Sequence, residues 1–148
     1  MIRRMVHNGN ERINMNEKAN LLNGAALAYI GDAVYEVFVR DYVLSKGETS
    51  PNKLHKAAVK FVEARGQARV MQHWLSFDDF LTQEEITMYK RGRNNKANTK
   101  AKSASIGDYR QATGFESLVG WLHMSRKQER LQELLQAAVE YIEENQEG

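Results

Sequence analysis

Two acidic residues of the sequence stand in segments that are otherwise apolar and rich in small residues. Asp32 lies in the segment 27–34 (LAYIGDAV), and Glu116 lies in the segment 113–120 (TGFESLVG). An ionised carboxylate in such a segment needs a hydrogen-bond partner, a cation or a metal, because its desolvation is costly. Since Mg²⁺ prefers oxygen ligands, Asp32 and Glu116 are candidate ligands of one divalent cation. The alternative for Asp32 is a helix–helix hydrogen bond or a solvent-facing position, and for the pair it is that both acids are solvated or form structural salt bridges.

The composition excludes several other kinds of active site. The chain has 148 residues, one proline and no cysteine, which rules out disulfides, thiolate nucleophiles and cysteine-ligated metals. The four histidines show no paired spacing typical of zinc, and neither a phosphate-binding P-loop nor a serine elbow is present. Without an apolar run of ~20 residues or a signal-peptide core, the sequence predicts a cytoplasmic protein with no membrane partner.

Basic residues form two sets that could neutralise the phosphates of a nucleic acid. The first set lies in a polar segment with few apolar residues, which is typical of a flexible functional loop, and the second lies on one face of a predicted helix. Aromatic residues are not interleaved with the cations, so phosphate and shape recognition of a duplex is favoured over stacking on unpaired bases. A merely solvated surface is the alternative. The first set is Lys90, Arg91, Arg93, Lys96, Lys100 and Lys102, with the polar residue Asn94 among them, and the second set is Lys53, Lys56 and Lys60.

The elements that must position these residues are predicted to be helices. Apolar residues recur at helical spacing from Asn20 to about Leu44, and Gly47 ends this helix. Ser50 and Pro51 begin a second helix, which is predicted to run to about Leu75. The apolar positions of the first helix are Leu22, Ala26, Tyr29, Ile30, Ala33, Val37 and Val43.

Capping patterns predict the remaining helices. Thr82–Glu85 and Ser125–Gln128 fit the capping box, and Asp108–Gln111 has an acidic cap with glutamine at the same spacing. Signals for β-strands are absent from the sequence. The predicted fold class is therefore all-α, with one domain over residues 17–148 and a loose polar leader over residues 1–16. An apolar stripe follows the acidic cap and consists of Phe115, Leu118, Val119 and Leu122.

Three motifs in order along the chain resemble those of the ribonuclease III family. They are residues 27–33 (LAYIGDA), 90–94 (KRGRN) and 115–120 (FESLVG). The likeness is closest to the short bacterial members of the family, which have no appended double-stranded-RNA-binding domain, and it covers roughly residues 20–145. It implies a single ribonuclease III-like helical domain.

The resemblance also implies roles for the two acids. Asp32 matches the catalytic, metal-binding aspartate of the family and Glu116 matches its metal-binding glutamate, so that together they would hold Mg²⁺, with Mn²⁺ as a substitute. Larger members of the family have two further acids where this chain has Ala28 and Thr113. The cation is therefore expected to keep more water ligands.

The function implied by the resemblance is cleavage of double-stranded RNA by a magnesium-dependent endoribonuclease. Each protomer of a homodimer would supply one site, and the products would carry 5′-phosphate and 3′-hydroxyl ends with short 3′ overhangs. The implied physiological substrate is the precursor of 23S ribosomal RNA. Two alternatives stay open: a non-catalytic protein that binds structured RNA, and a helical adaptor for another protein. The adaptor is suggested by the apolar helices and the acidic residues Glu140, Glu143, Glu144 and Glu147.

Overall fold

Helices joined by short turns make up the described part of the chain. A computed structural model describes residues 18–95 and 105–146, and residues 18–21 are helical. No strand occurs within these ranges, so the predicted all-α fold class is confirmed. The leader at residues 1–16 lies outside the described residues, and the domain boundaries stay a prediction. The longer helices are α1 (Gly24–Leu44), α2 (Pro51–Val62), α3 (Ala64–Leu75), α4 (Gln83–Arg93), α5 (Ile106–Met124) and α6 (Gln128–Glu144).

Helix α5 is the centre of the fold. Every residue from Gly114 to Leu122 is buried, except Glu116, which is partly buried. A helix that is apolar on nearly all sides must be surrounded by other elements, and α1, α3, α4 and α6 all pack against α5. The predicted apolar stripe on this helix is confirmed as part of the core. Glu116 is therefore carried by the most deeply enclosed helix of the protein.

Helices α1 and α5 cross with their backbones in contact. A Cβ atom added at Gly31 would lie 1.8 Å from the Glu116 carbonyl oxygen, and one added at Gly120 would lie 1.9 Å from the Leu27 carbonyl oxygen. Only glycine allows so close an approach. Because Asp32 directly follows Gly31, this crossing places Asp32 beside Glu116.

The predicted second helix is in fact two helices. Glu63 has an extended backbone, with φ of −69° and ψ of 155°, and separates α2 from α3. The chain turns so sharply there that a Cβ atom at Gly66 would lie 2.4 Å from the Lys60 carbonyl oxygen. The prediction of one continuous helix from Ser50 to Leu75 was wrong because the apolar periodicity runs through the break.

The predicted helix starts had mixed outcomes. The capping box Thr82–Glu85 is confirmed, with both reciprocal hydrogen bonds formed at the start of α4. The predicted box at Ser125–Gln128 is wrong, since α6 begins at Gln128 after Lys127, which makes no side-chain cap. The acidic cap at Asp108 is also wrong, because Ser105 caps α5 by accepting a hydrogen bond from the Asp108 N–H. Helix α1 begins at Gly24, capped by the Asn23 side chain, and ends at Leu44 as predicted.

The apolar positions used to predict α1 lie on more than one face of the helix. Val43 is buried, but Tyr29 is 83% exposed and Val37 is 60% exposed. The face that enters the core carries Leu27, Tyr35 and Val39 instead. Helix α1 consequently has a second, exposed apolar face.

Candidate active site

Asp32 and Glu116 meet where α1 crosses α5. Asp32 is exposed at the rim, whereas Glu116 is partly buried between the helices. Burial, and then the negative charge and the hydrogen bond of the neighbouring Asp32 carboxyl, raise the pKa of Glu116 to about 8. A hydrogen bond from Gln67 acts in the opposite direction. Near neutral pH Glu116 therefore retains its proton in the absence of a cation.

The chemistry of this site fits a hard divalent cation. Two carboxylates that lie close together, one of them partly buried, repel each other when both are ionised, and a cation between them would relieve this repulsion. Among residues 18–95 and 105–146, however, no cluster of three or more acids, histidines or cysteines could hold a metal. Asp32 and Glu116 would be the protein ligands, and water would have to complete the coordination shell.

The two positions where larger family members have acids contribute no carboxylate here. Ala28 is buried against the core. Thr113 is partly buried, and its hydroxyl donates to the Tyr109 carbonyl one turn earlier in α5, at 3.0 Å. The Thr113 hydroxyl thus already has a hydrogen bond within its own helix.

Gln67 is a polar residue of the site that sequence reasoning missed. Its side chain, on the first turn of α3, is 1% exposed. Its Nε2 lies 3.2 Å from the Val62 carbonyl oxygen and 3.5 Å from Glu116 Oε2. The only available signal was a glutamine within a helix whose other buried positions are mostly apolar, including Val70, Met71 and Trp74.

The predicted basic set on α2 is partly engaged within the fold. Lys53 and Lys56 are exposed, but Lys60 Nζ lies 2.7 Å from Glu143 Oε1. Glu143 also accepts a hydrogen bond from the Tyr42 hydroxyl at 3.1 Å. This member of the acidic C-terminal segment therefore stabilises the packing of α6 against α1 and α2.

The other basic set begins on a helix and not in a loop. Lys90, Arg91 and Arg93 occupy the last turn of α4, and Asn94 follows as its C-cap. Cations are favourable at this end of a helix because of its dipole. Lys90 and Asn94 are exposed, and the Arg93 guanidinium lies 5.6 Å from the centre of the Tyr89 ring. The remaining members, Lys96, Lys100 and Lys102, lie outside the described residues.

The Arg91 side chain is hydrogen-bonded within the fold. Its guanidinium donates hydrogen bonds to the carbonyl oxygens of Asn20 and Leu22. The Asn20 side chain in turn accepts a hydrogen bond from the Trp121 indole at 2.7 Å. Arg91 and Trp121 thereby fasten residues 18–22 to α4 and α5.

Comparison with known proteins identifies the family. Residues 25–127 match the Ribonuclease III domain family. The chain is 52% identical over 126 residues to Mini-ribonuclease 3 of Enterococcus faecalis, an alignment that covers 85% of this chain and 95% of the relative. It is 39% identical to Mini-ribonuclease 3 of Staphylococcus aureus over 84% of this chain and 92% of that protein.

A solved structure agrees with the sequence matches. The crystal structure of a Fusobacterium nucleatum protein superimposes with a TM-score of 0.72 at 26% identity, covering 80% of this chain and 93% of the other. No helix among the described residues is both long and apolar enough to cross a membrane.

The extent and level of sequence identity show that the chain belongs to the ribonuclease III family, in its Mini-ribonuclease 3 branch.

Proposed function

We propose that this protein is a magnesium-dependent endoribonuclease that hydrolyses double-stranded RNA at the Asp32–Glu116 site. Endoribonuclease activity on double-stranded RNA follows from membership of the family. The choice of Mg²⁺, with Mn²⁺ as a substitute, is supported by the two carboxylate ligands and by the raised pKa of Glu116, which results from its burial and then from the neighbouring charge of Asp32. The pairing of the exposed Asp32 with the partly buried Glu116 is the single observation on which the proposal depends.

The positions of Asp32 and Glu116 suit the binding of a cation beside an RNA phosphate. Bound Mg²⁺ supplies Lewis-acid stabilisation and a water activated for attack on a phosphodiester. Glu116 is fixed by its place on the buried helix α5, and Asp32 is exposed, so one ligand is rigidly held while the other faces the approaching phosphate. The expected products carry 5′-phosphate and 3′-hydroxyl ends.

Exposed cations on α2 and α4 are proposed to bind the phosphates of the duplex. Lys53, Lys56, Lys90, Arg93 and Asn94 lie at or near the surface, and Lys/Arg contacts of this kind provide affinity without base specificity. Lys96, Lys100 and Lys102 are proposed to extend the same interface. Lys60 and Arg91 already have partners in the fold, so we expect a smaller contribution from them.

A homodimer is proposed because cutting both strands of a duplex requires two sites. The exposed face of α1 carries Tyr29, Ala33 and Val37, which are spaced four residues apart and therefore lie along one stripe. Val37 also lines a groove of about 630 Å³ together with Leu131 and Leu135 of α6. A two-fold interface is the most common arrangement for covering such a surface.

The proposed physiological substrate is the precursor of 23S ribosomal RNA, and the proposed location is the cytoplasm. Family resemblance supports both. Comparing cleavage of the precursor stem with that of an unrelated duplex of equal length tests the first. A stem that is cut no faster than the unrelated duplex would remove this assignment while leaving the activity itself intact.

The activity is tested by incubating a long duplex RNA with the protein in Mg²⁺ or in chelator. Asp32→Asn keeps the shape of the side chain and removes its charge, and Asp78→Asn makes the same change at an exposed turn residue as a control. Cleavage by the unmodified protein and by Asp78→Asn in Mg²⁺ only, with no cleavage by Asp32→Asn, supports the proposal, whereas cleavage by Asp32→Asn at the same rate overturns the role of Asp32. If no protein cuts but all bind the duplex, the chain is a non-catalytic RNA-binding protein, as the two missing acids would then explain.

A further inference from the structure

The Gln67 side chain connects the α2–α3 junction to the acid pair. Its Nε2 contacts two acceptors, the Val62 carbonyl oxygen at 3.2 Å and Glu116 Oε2 at 3.5 Å. An amide nitrogen carries two hydrogens, so it can donate to both at once. Its Oε1 is buried and has no hydrogen-bond partner among the described residues.

The break at Glu63 explains why Gln67 points into the site. Val62 is the last residue of α2, and the backbone N–H of Gln67 donates to the Glu63 carbonyl at 3.2 Å at the start of α3. The Val62 carbonyl can only accept, so it determines which end of the amide faces the junction. The same nitrogen therefore faces Glu116, and a donor rather than an acceptor is presented to the carboxylate.

We propose that Gln67 is a positioning residue, whose buried amide holds the Glu116 carboxylate in the orientation that allows Glu116 and Asp32 to share a divalent cation. This inference rests on the proposed function. A carboxylate ligand normally keeps its orientation through a hydrogen bond from a neighbouring group, and loss of such a group weakens metal binding. With Ala28 and Thr113 providing no carboxylate, the orientation of Glu116 matters more here than in a site with four acids.

A purely structural role of Gln67 would predict a different effect of its replacement. If Gln67 served only to satisfy the Val62 carbonyl, its replacement would lower stability and leave cation affinity unchanged. Tyr35 provides a matched control, because its hydroxyl donates to the neighbouring Phe61 carbonyl at 2.9 Å in an equally buried setting. Tyr35→Phe removes a hydrogen bond at the same helix end without removing any group that contacts Glu116.

The experiment is a titration of the folded proteins with Mn²⁺, followed by calorimetry or by the electron paramagnetic resonance of the free ion. Gln67→Met keeps the length of the side chain and removes its polar atoms. We expect Gln67→Met to bind Mn²⁺ about 10-fold or more weakly, and Tyr35→Phe to bind it within twofold of the unmodified protein. In RNA cleavage kcat should fall with little change in KM, since a buried side chain does not touch the duplex.

Other variants separate the possible failures. If Gln67→Met does not fold, Gln67→Asn replaces it, because its shorter amide does not span both acceptors and is expected to weaken Mn²⁺ binding equally. Affinity within twofold of the unmodified protein in the folded variant overturns the inference. Asp32→Asn is titrated alongside: if it binds Mn²⁺ as well as the unmodified protein, or if neither binds, the proposed cation site is wrong and the role of Gln67 with it.

Discussion

The Glu116 carboxyl should destabilise the folded protein at alkaline pH when no divalent cation is present. Its pKa rises from 4.5 to about 8 on folding, so the folded state keeps a proton that the unfolded state has lost between these two values. Stability from this group is thus complete below about pH 4.5, falls as the pH rises towards 8, and stays low above it. Glu116→Gln removes the ionisable group and should abolish this loss.

The size of the effect follows from the shift. A pKa difference of 1 between the folded and unfolded states corresponds to about 1.4 kcal/mol, so the loss of folding free energy at high pH is at most about 5 kcal/mol. Because Glu116 is only partly buried and its partner Asp32 is exposed, water and small rearrangements reduce this, and we expect about 1–3 kcal/mol. For a chain of this length that corresponds to a melting temperature higher by roughly 3–10 °C in Glu116→Gln.

Thermal and urea unfolding in chelator at pH 5, 7 and 9 measure this difference. The stability gained by Glu116→Gln should grow from pH 5 to pH 9, whereas Glu140→Gln, at an exposed position of α6, should show no such trend. Adding Mg²⁺ at pH 9 should raise the melting temperature of the unmodified protein and not that of Glu116→Gln. A stability difference that is the same at pH 5 and pH 9 would refute the claim that Glu116 is desolvated beside Asp32.

Three further predictions concern the fold and the RNA surface. Gly31→Ala places a methyl group 1.8 Å from a carbonyl oxygen and should cost at least about 2 kcal/mol in urea unfolding and abolish cleavage; wild-type activity would contradict the α1–α5 contact. Arg130→Met removes a 2.8 Å ion pair with Glu85 and should cost about 2–4 kcal/mol, because the buried Glu85 loses its cationic partner; an unchanged urea midpoint would refute this. Replacing Lys53 and Lys56 with alanine should reduce the slope of the logarithm of the duplex-binding constant against the logarithm of salt concentration by about 1 per lost phosphate contact. An unchanged slope would mean that the duplex binds elsewhere.

The chemistry of the site was more predictable than its construction. Asp32 and Glu116 stand out in the sequence because a carboxylate among apolar and small residues needs a partner. Gly31 and Gly120 were visible as small residues near the two acids. That they pack against each other's helices is a tertiary fact, which local spacing in either segment does not contain.

The break between α2 and α3 could not be predicted from local patterns. Glu63 is neither glycine nor proline, and apolar residues continue at helical spacing on both sides of it. Tertiary packing selects the extended backbone there, and Gly66 permits the close approach that follows. Gln67, which contacts Glu116, lies in the first turn after this break, so the prediction of one continuous helix gave no reason to place it at the site.

Two helix starts were predicted wrongly for a different reason. Ser105 and Asp108 can both cap a helix, because the side chain of each has an oxygen that can accept a hydrogen bond from a backbone N–H. The spacing of polar residues does not decide between two competent caps three residues apart. At Thr82, by contrast, the reciprocal bond from Glu85 gives one start a second contact, and there the prediction was confirmed.

The arrangement of the site links stability to function. A carboxylate on a surface helix would be well solvated and could move away from its neighbour, whereas Glu116 lies on the most enclosed helix. Because the backbones of α1 and α5 touch at Gly31 and Gly120, the helix segments that carry the two acids cannot separate without moving the core. Glu116 therefore keeps its proton near neutral pH, and a cation held by both acids would have to displace that proton. The proposed cation site, with only two acids, would in this way depend on the rigidity of the helix crossing, where a site with more acids would depend on charge.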